Sequence, residues 1–267
     1  MSFPAERLEH VLRGIGPVAV AISGGVDSLT LAAAAHRALG EDAMMHHATS
    51  PAVPPEATRR TRELAEKFGW ALDVFDAGEF SDPAYRANPA NRCFFCKTNL
   101  YGAMAGRTGR TLVSGTNLDD LSDWRPGLEA ARDHGVRHPF VEVGIDKNTV
   151  RQLAAAYGLG AVAELPAAPC LSSRIETGLR IEAPVLAAAH AAERLVGARL
   201  SPRTVRCRVR AAAVVVELDP ASLAALEEPG RGELQEEIAR LMRRAGVTHD
   251  VAFAPYRAGS AFLRPSA

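Results

Sequence analysis

A short apolar strand, Val18 to Ile22, runs straight into Ser23-Gly24-Gly25-Val26-Asp27-Ser28 and then into a helical stretch, roughly Leu29 to Leu39. This junction constrains the chain more than any other segment. Glycines let the backbone come close to an oxyanion, and the N–H groups and positive dipole end of the following helix point at it. Phosphate is the guest that such a cradle predicts. The loop has neither the lysine of a Walker loop nor the third glycine of a dinucleotide fingerprint, so neither reading fits. The alternative is an ordinary tight turn between strand and helix. Ser23, Asp27 and Ser28 around the glycines favour the cradle.

Further strands are expected at Ala43 to Ala48, Leu72 to Phe75 and Thr111 to Val113, with a crossover helix over Glu56 to Phe68. The last of these strands closes on Ser114-Gly115-Thr116-Asn117. Strands alternating with helices imply a doubly wound, mostly parallel α/β sheet covered on both faces, with ligands at the strand C-terminal ends. Both glycine-bearing loops fall at that edge. A helix is expected over Asp146 to Gly158, then an irregular Ala- and Pro-rich stretch from Ala161 to Pro169. The pattern next changes to helix, strand, strand, helix, strand: Ala183–Val196, Thr204–Arg210, Val214–Leu218, Glu233–Ala245 and Asp250–Ala254. This predicts a large domain over 1–175 and a small α+β domain over 176–267.

The 267 residues are 47% apolar, enough to bury a substantial core. Met1 to His10 is polar, without the apolar core of a signal peptide, and no apolar run approaches the about 20 residues of a membrane span. A soluble cytoplasmic protein with no membrane partner is therefore expected. Thirty-one basic and 31 acidic residues give no global field to gather nucleic acid, which favours a small-molecule substrate. In the small domain, Arg206, Arg208 and Arg210 alternate with Val205, Cys207 and Val209, so a period of two puts the arginines on one strand face. Such a row is a plausible clamp for phosphate or carboxylate, a solvated strand face being the alternative. Alternation turns Cys207 to the other side, for packing.

Cys93-Phe94-Phe95-Cys96 is a C-x-x-C, open to three readings: a redox pair, half a zinc site or part of an iron–sulfur site. The flanking phenylalanines suit a shielded metal or cluster better than an exposed redox thiol. Zinc ranks below a cluster because no histidine stands at ligand spacing, and His46-His47 reads as two core histidines. Cys170 lies in Pro169-Cys170-Leu171-Ser172-Ser173-Arg174, where the Arg174 guanidinium would favour thiolate over thiol.

The loop at Ser23 to Ser28 resembles that of the ATP pyrophosphatase (PP-loop) superfamily, whose members split ATP between its α and β phosphates. A narrower resemblance runs through nearly the whole chain. It rests on that loop together with Asn91-Arg92-Cys93-Phe94-Phe95-Cys96-Lys97, Ser114 to Asp120, Trp124-Arg125-Pro126-Gly127, Cys170 to Arg174, and Tyr256-Arg257-x-Gly259-Ser260. Taken together, these are similar to the LarE sulfur transferases. That resemblance implies an enzyme forming AMP and pyrophosphate. ATP adenylates a carboxylate of pyridinium-3,5-biscarboxylic acid mononucleotide, and sulfur then replaces AMP in the biosynthesis of the nickel-pincer nucleotide. One branch of the family gives up the sulfur of a single cysteine, and another holds a [4Fe-4S] cluster on three. Cys93, Cys96 and Cys170 match the three-cysteine branch.

The resemblance further implies ATP binding by Ser23, Gly24, Gly25, Val26, Asp27 and Ser28, with Asp27 holding Mg²⁺. Adenine would lie near Ala48 to Ser50, with Gly115 and Thr116 in the nucleotide pocket. Arg174, Arg206 and Arg208 would bind substrate, Cys170 would be catalytic beside Asp27, and a homo-oligomer would form. The chain departs from the family where Arg210-Ala211-Ala212-Ala213 replaces a His-His-Gly turn and where Pro255 replaces a glycine. Competing readings are a cluster-dependent PP-loop tRNA thiolase, which zero net charge disfavours, a non-enzymatic iron–sulfur carrier, and an ammonia-dependent synthetase, which leaves Cys170 unexplained.

Overall fold

The computed structural model describes residues 4–122, 124–167 and 169–263, so Met1 to Phe3 and Ala168 of the stretches named above lie outside the described residues. The chain divides into two compact units, one of Met1–Asp82 with Cys93–Ala168, the other of Pro83–Arg92 with Pro169–Ala267. In chain order the first unit opens with α1 (Pro4–Ile15), β1 (Val18–Ala21), α2 (Val26–Leu39), β2 (Ala43–Thr49), α3 (Pro55–Phe68) and β3 (Ala71–Asp76). The short α4 (Pro83–Arg86) belongs to the second unit. The chain then returns to the first through α5 (Arg92–Ala105), β4 (Thr111–Ser114), α6 (Pro126–Asp133), α7 (Pro139–Glu142) and α8 (Lys147–Ala156). The second unit closes with α9 (Ala183–Leu200), β5 (Val205–Val209), β6 (Val214–Leu218), α10 (Pro220–Ala224), α11 (Gly230–Arg244) and β7 (Val251–Pro255).

The first unit is built on a four-stranded, all-parallel sheet of order β3-β2-β1-β4. All four residues of β1 are buried, as a central parallel strand requires. Val18 and Val20 face Leu8 and Leu12 of α1, Leu29 of α2 and Val150 and Leu153 of α8. Ala19 and Ala21 face Tyr101 and Met104 of α5 and Ala131 of α6. Local signals set the helix ends: Pro55 opens α3 and Gly69, at φ 68°, closes it, while the Asp146 side chain caps α8 by accepting from Thr149 N at 2.8 Å. After β1 the chain winds outward through β2 to β3 and then crosses to β4 on the other side. The strand order therefore reverses between β1 and β4, and ligands of open α/β sheets bind beyond the strand ends at such a point.

The second unit carries a separate three-stranded mixed sheet of order β5-β6-β7, with β5 and β6 antiparallel and β6 and β7 parallel. The α9 helix packs on β5, and α11 on α9 and β7. Arg210 to Ala213 form the β5–β6 turn, closed by Arg210 N to Ala213 O at 2.9 Å. The fold class is thus the expected one, a parallel α/β sheet and a smaller α+β part, consistent with a PP-loop-like fold. The last crossing falls at 168/169, and Pro83–Arg92 joins the second unit.

His46 and His47 of β2 are buried in the first unit, and burial holds both imidazoles below their ordinary value. His47 Nδ1 lies 2.9 Å from Ile22 O and Nε2 2.9 Å from Thr58 Oγ1, so the ring ties the end of β1 to α3. A depressed folded value contributes stability that is present above the unfolded pKa and lost as pH falls through the folded one. The melting temperature is therefore expected to fall as pH drops from about 7 to about 5, the range in which histidine charges. His47→Gln should flatten that decline; an unchanged slope would show that His47 does not carry it.

Candidate nucleotide site and arginine cluster

Two loops meet at the reversal point of the first unit. Gly24 has φ 78°, and a Cβ there would lie 2.7 Å from Ala57 O, so only glycine fits. Gly115 leads out of β4, where a Cβ would stand 2.8 Å from Asp27 C and 2.9 Å from Ser28 N. The missing side chain lets that loop lie directly on the first turn of α2. Gly25, the N-cap of α2, supplies no side-chain cap, leaving the first N–H groups of the helix open to an anion. Ser28 Oγ organises the loop: it accepts from Ser23 N at 3.1 Å, donates to Gly25 O at 3.1 Å and lies 3.1 Å from Ser23 Oγ.

Asp27 stands at this turn with its carboxylate shared between the Asn117 amide, 3.0 Å from Oδ1, and Lys147 Nζ, 2.5 Å from Oδ2. Lys147 is the first residue of α8, and its backbone N–H donates to Asp119 Oδ2 at 2.9 Å. Thr116 Oγ1 lies 3.1 Å from Ser114 Oγ, which is 2.9 Å from His138 Nδ1. Ser50 follows β2, where its Oγ accepts from Ala52 N at 3.2 Å. Nearby Glu79 is buried, and that burial, opposed by a hydrogen bond with Ser50, raises its carboxyl pKa.

On α5, Cys93, Cys96 and Lys97 share a face at i, i+3 and i+4. Gly127 of α6 lies against it, where a Cβ would come 3.1 Å from Lys97 Cγ and 3.6 Å from Cys93 O. Cys93 is exposed and Cys96 half-buried. The flanking phenylalanines pack edge to face on each other at 5.5 Å and leave Cys93 uncovered.

In the second unit, Cys170 is exposed and precedes a short 3₁₀ turn, Leu171–Arg174. Arg174 is buried, and its Nε and Nη2 each donate to Glu193 at 2.9 Å. Its Nη1 donates to the carbonyls of Pro169 and Cys170 and to Ser173 Oγ. The guanidinium therefore meets Cys170 through the backbone oxygen, with Glu193 matching its charge, rather than standing free beside the thiol. Buried Tyr85 holds the same turn through Ser172, hydroxyl to hydroxyl at 2.6 Å.

On β5, Cys207 is fully buried and desolvation drives its thiol pKa well up, so it serves packing. Arg208 is buried too, paired at 3.2 Å with Glu217 of β6, which also receives Arg210 at 3.1 Å and Ser260 Oγ at 2.5 Å. This face is not a solvated strand surface. Arg174 pairs with Glu193, Arg208 and Arg210 share Glu217, and Glu176 Oε1 accepts from Ala211 N at 3.4 Å in the β5–β6 turn. Burial, then the Arg174 charge, lowers the pKa of Arg206.

A scan against protein-family models finds no match. The chain is, however, 36% identical over 219 residues to uncharacterized protein slr1717 of Synechocystis sp., covering 80% of this chain and 81% of that one. The chain belongs to the slr1717 family. It is also 28% identical over 221 residues to the pyridinium-3,5-bisthiocarboxylic acid mononucleotide synthase of Lactiplantibacillus plantarum, covering 81% of this chain and 79% of that enzyme. This more distant likeness supports the LarE family.

Within this slr1717-family chain, Ser23 to Ser28, Gly115 and Thr116 lie at one sheet edge of the first unit, as do Asn117 and Lys147, which sequence reasoning did not assign. Asn117 had a signal in Ser114 to Asp120; Lys147, 120 residues from Asp27, had none. Cys93 and Cys96 belong to the first unit, whereas Cys170, Arg174, Arg206 and Arg208 belong to the second. Within neither unit, among the described residues, do three His, Cys, Asp or Glu side chains form a metal site. No helix among those residues is long and apolar enough to cross a membrane.

Proposed function

We propose that this protein is an ATP-dependent sulfur transferase that adenylates a carboxylate of pyridinium-3,5-biscarboxylic acid mononucleotide and replaces AMP with sulfur. The observation that carries this reading is the uncapped N-terminus of α2 at the reversal point of the sheet, with Gly115 against it and Asp27 and Lys147 beside it. The likeness to the Lactiplantibacillus synthase supports the choice of substrate.

In this reading Ser23, Gly24, Gly25, Val26 and Ser28 receive the ATP phosphates on backbone N–H groups and hydroxyls, and Ser50, Gly115 and Thr116 border the nucleoside. Asp27, whose side chain is 28% exposed, offers a hard oxygen donor suited to Mg²⁺, although Lys147 occupies Oδ2. A bound Mg²⁺ would supply charge neutralisation on the phosphates. Lys147, whose Nζ meets Asp27 Oδ2 at 2.5 Å at the same sheet edge, offers the phosphates a cation. Arg206 and Arg208 receive the substrate phosphate, Arg208 through Nη2, since its Nε is held by Glu217 and its Nη1 by the Ser173 carbonyl, while Arg174, committed to its turn, adds charge more than donors.

Three accessible thiols fit the soft donor set of an iron–sulfur cluster, and buried Cys207 does not. Arg92, the residue before Cys93, is buried in the second unit, and its Nη1 bonds Asn88 Oδ1 at 2.9 Å. A [4Fe-4S] cluster on Cys93, Cys96 and Cys170 would supply a replaceable sulfide.

Incubation with ATP, Mg²⁺ and the dicarboxylate mononucleotide should release AMP and pyrophosphate, with a thiocarboxylate forming once sulfur is supplied. Turnover on tRNA and none on the mononucleotide would favour the PP-loop thiolase instead, and no pyrophosphate from either would leave a carrier.

A further inference from the structure

Among the cations of α3, Arg59, Arg62 and Lys67 are exposed and Arg60 is half-buried against the glycine loop. Arg59 pairs with Glu63 at 3.6 Å, and Lys67 lies over the Phe68 ring. Arg60 instead donates from Nη1 to the carbonyl oxygen of Gly24 at 2.6 Å and has no carboxylate partner among the described residues. It is half-buried, and none of its remaining donors is sealed from solvent. Its solvent-facing N–H donors are therefore available to an anion that reaches the loop. Its anchor is the very glycine whose φ and close approach to Ala57 make the cradle possible. One helix therefore supplies both the floor under the loop and a cation at its edge.

The geometry points to Arg60 as a phosphate ligand that takes the leaving pyrophosphate, an assignment that rests on the nucleotide reading of this loop. In the adenylation step a carboxylate oxygen of the acceptor bonds to the α-phosphorus. The bond from that phosphorus to the α,β-bridging oxygen breaks, and its electron pair stays on the departing pyrophosphate. No proton or redox partner is needed. Negative charge grows on the leaving group, where a planar guanidinium held by one N–H can offer two others side by side.

The test measures binding of inorganic pyrophosphate, ATP and AMP to the intact protein, to Arg60→Ala and to Arg60→Lys, by calorimetry with Mg²⁺ present. Arg60→Ala should weaken pyrophosphate and ATP about 10- to 100-fold, the scale of hydrogen bonds to a charged group. AMP, which lacks the leaving group, should bind as to the wild type, and Arg60→Lys should recover part of the loss. Equal weakening of all three ligands would make Arg60 a support of the loop, and wild-type pyrophosphate affinity in folded Arg60→Ala would remove it from the site; either overturns the assignment. A wild type that binds none of the three overturns the nucleotide reading as well. A wild type that binds ATP no better than Arg60→Ala does overturns Arg60 alone.

Discussion

Asp27→Ala should lower pyrophosphate release by about 10²- to 10³-fold, the loss seen when a preorganised electrostatic partner is removed from a transition state. The carboxylate lies on the first turn of α2, fixed by Asn117 at 3.0 Å and Lys147 at 2.5 Å, so its orientation is set before any ligand arrives. Removing it takes away the donor suited to a metal and leaves the Lys147 ammonium without its partner. Asp27→Asn keeps an oxygen for the Asn117 amide but loses the charge, so its rate should stay near that of the alanine variant. Because Asp27 is part-exposed, both variants should fold, which a melting curve checks. Pyrophosphate release at the wild-type rate from a folded Asp27→Ala protein would remove this residue from the chemistry.

Cys170→Ala should abolish sulfur transfer while pyrophosphate still forms on the first turnover, the AMP staying bonded to the carboxylate as the acyl adenylate. The nucleotide loop lies wholly within the first unit, and Cys170 belongs to the second. Its loop is held from several sides, by the Arg174 contacts to the carbonyls of Pro169 and Cys170, by Glu193, and by Tyr85 through Ser172. None of these contacts uses the thiol, so the substitution removes one sulfur atom and little structure. Cys93→Ser and Cys96→Ser separate the two sulfur sources. If a cluster is used, each loses most of the iron and visible absorption after anaerobic reconstitution, together with repeated turnover. If Cys170 gives up its own sulfur, both retain a single turnover and the wild type loses one sulfur from Cys170 in the intact mass. Full transfer by Cys170→Ala would exclude both routes.

The parts legible in the sequence are those set by local pattern. β1, its glycine turn and α2 were readable because an apolar strand, two glycines and an alanine-rich helix follow one another in order. The C-x-x-C segment opens the 14-residue α5, which the pattern hid because Cys, Phe, Phe and Cys make no apolar stripe; the one local signal was Asn91 at the N-cap position. The face of the arginine row was readable from its period of two, but its partners were not. Glu217 is the lone acid among valines and a leucine on β6, and Glu193 sits in a helix full of alanine. Only the fold brings them to Arg208, Arg210 and Arg174. Lys147 and Arg60 reach the loop across 120 and 36 residues of chain, beyond any spacing rule. The 83–92 strip escaped for the same reason. Its ties run from Tyr85 to Ser172, from Arg86 to the Ile181 carbonyl and from Asn88 to those of Ile175 and Glu176, with no shift in composition to mark them.

That strip has a consequence for how the gene can be cut. Neither unit is a continuous stretch of polypeptide. A fragment ending near residue 168 would carry Tyr85, Asn88 and Arg92, at most 5% exposed in the intact chain, with the partners of Tyr85 and Asn88 deleted. The complementary fragment would lack the strip that holds the Ser172 turn. Two such pieces should therefore restore each other when mixed and fail alone, and recombination that shuffles the C-terminal part as a cassette must bring ten residues from the middle of the other part along with it.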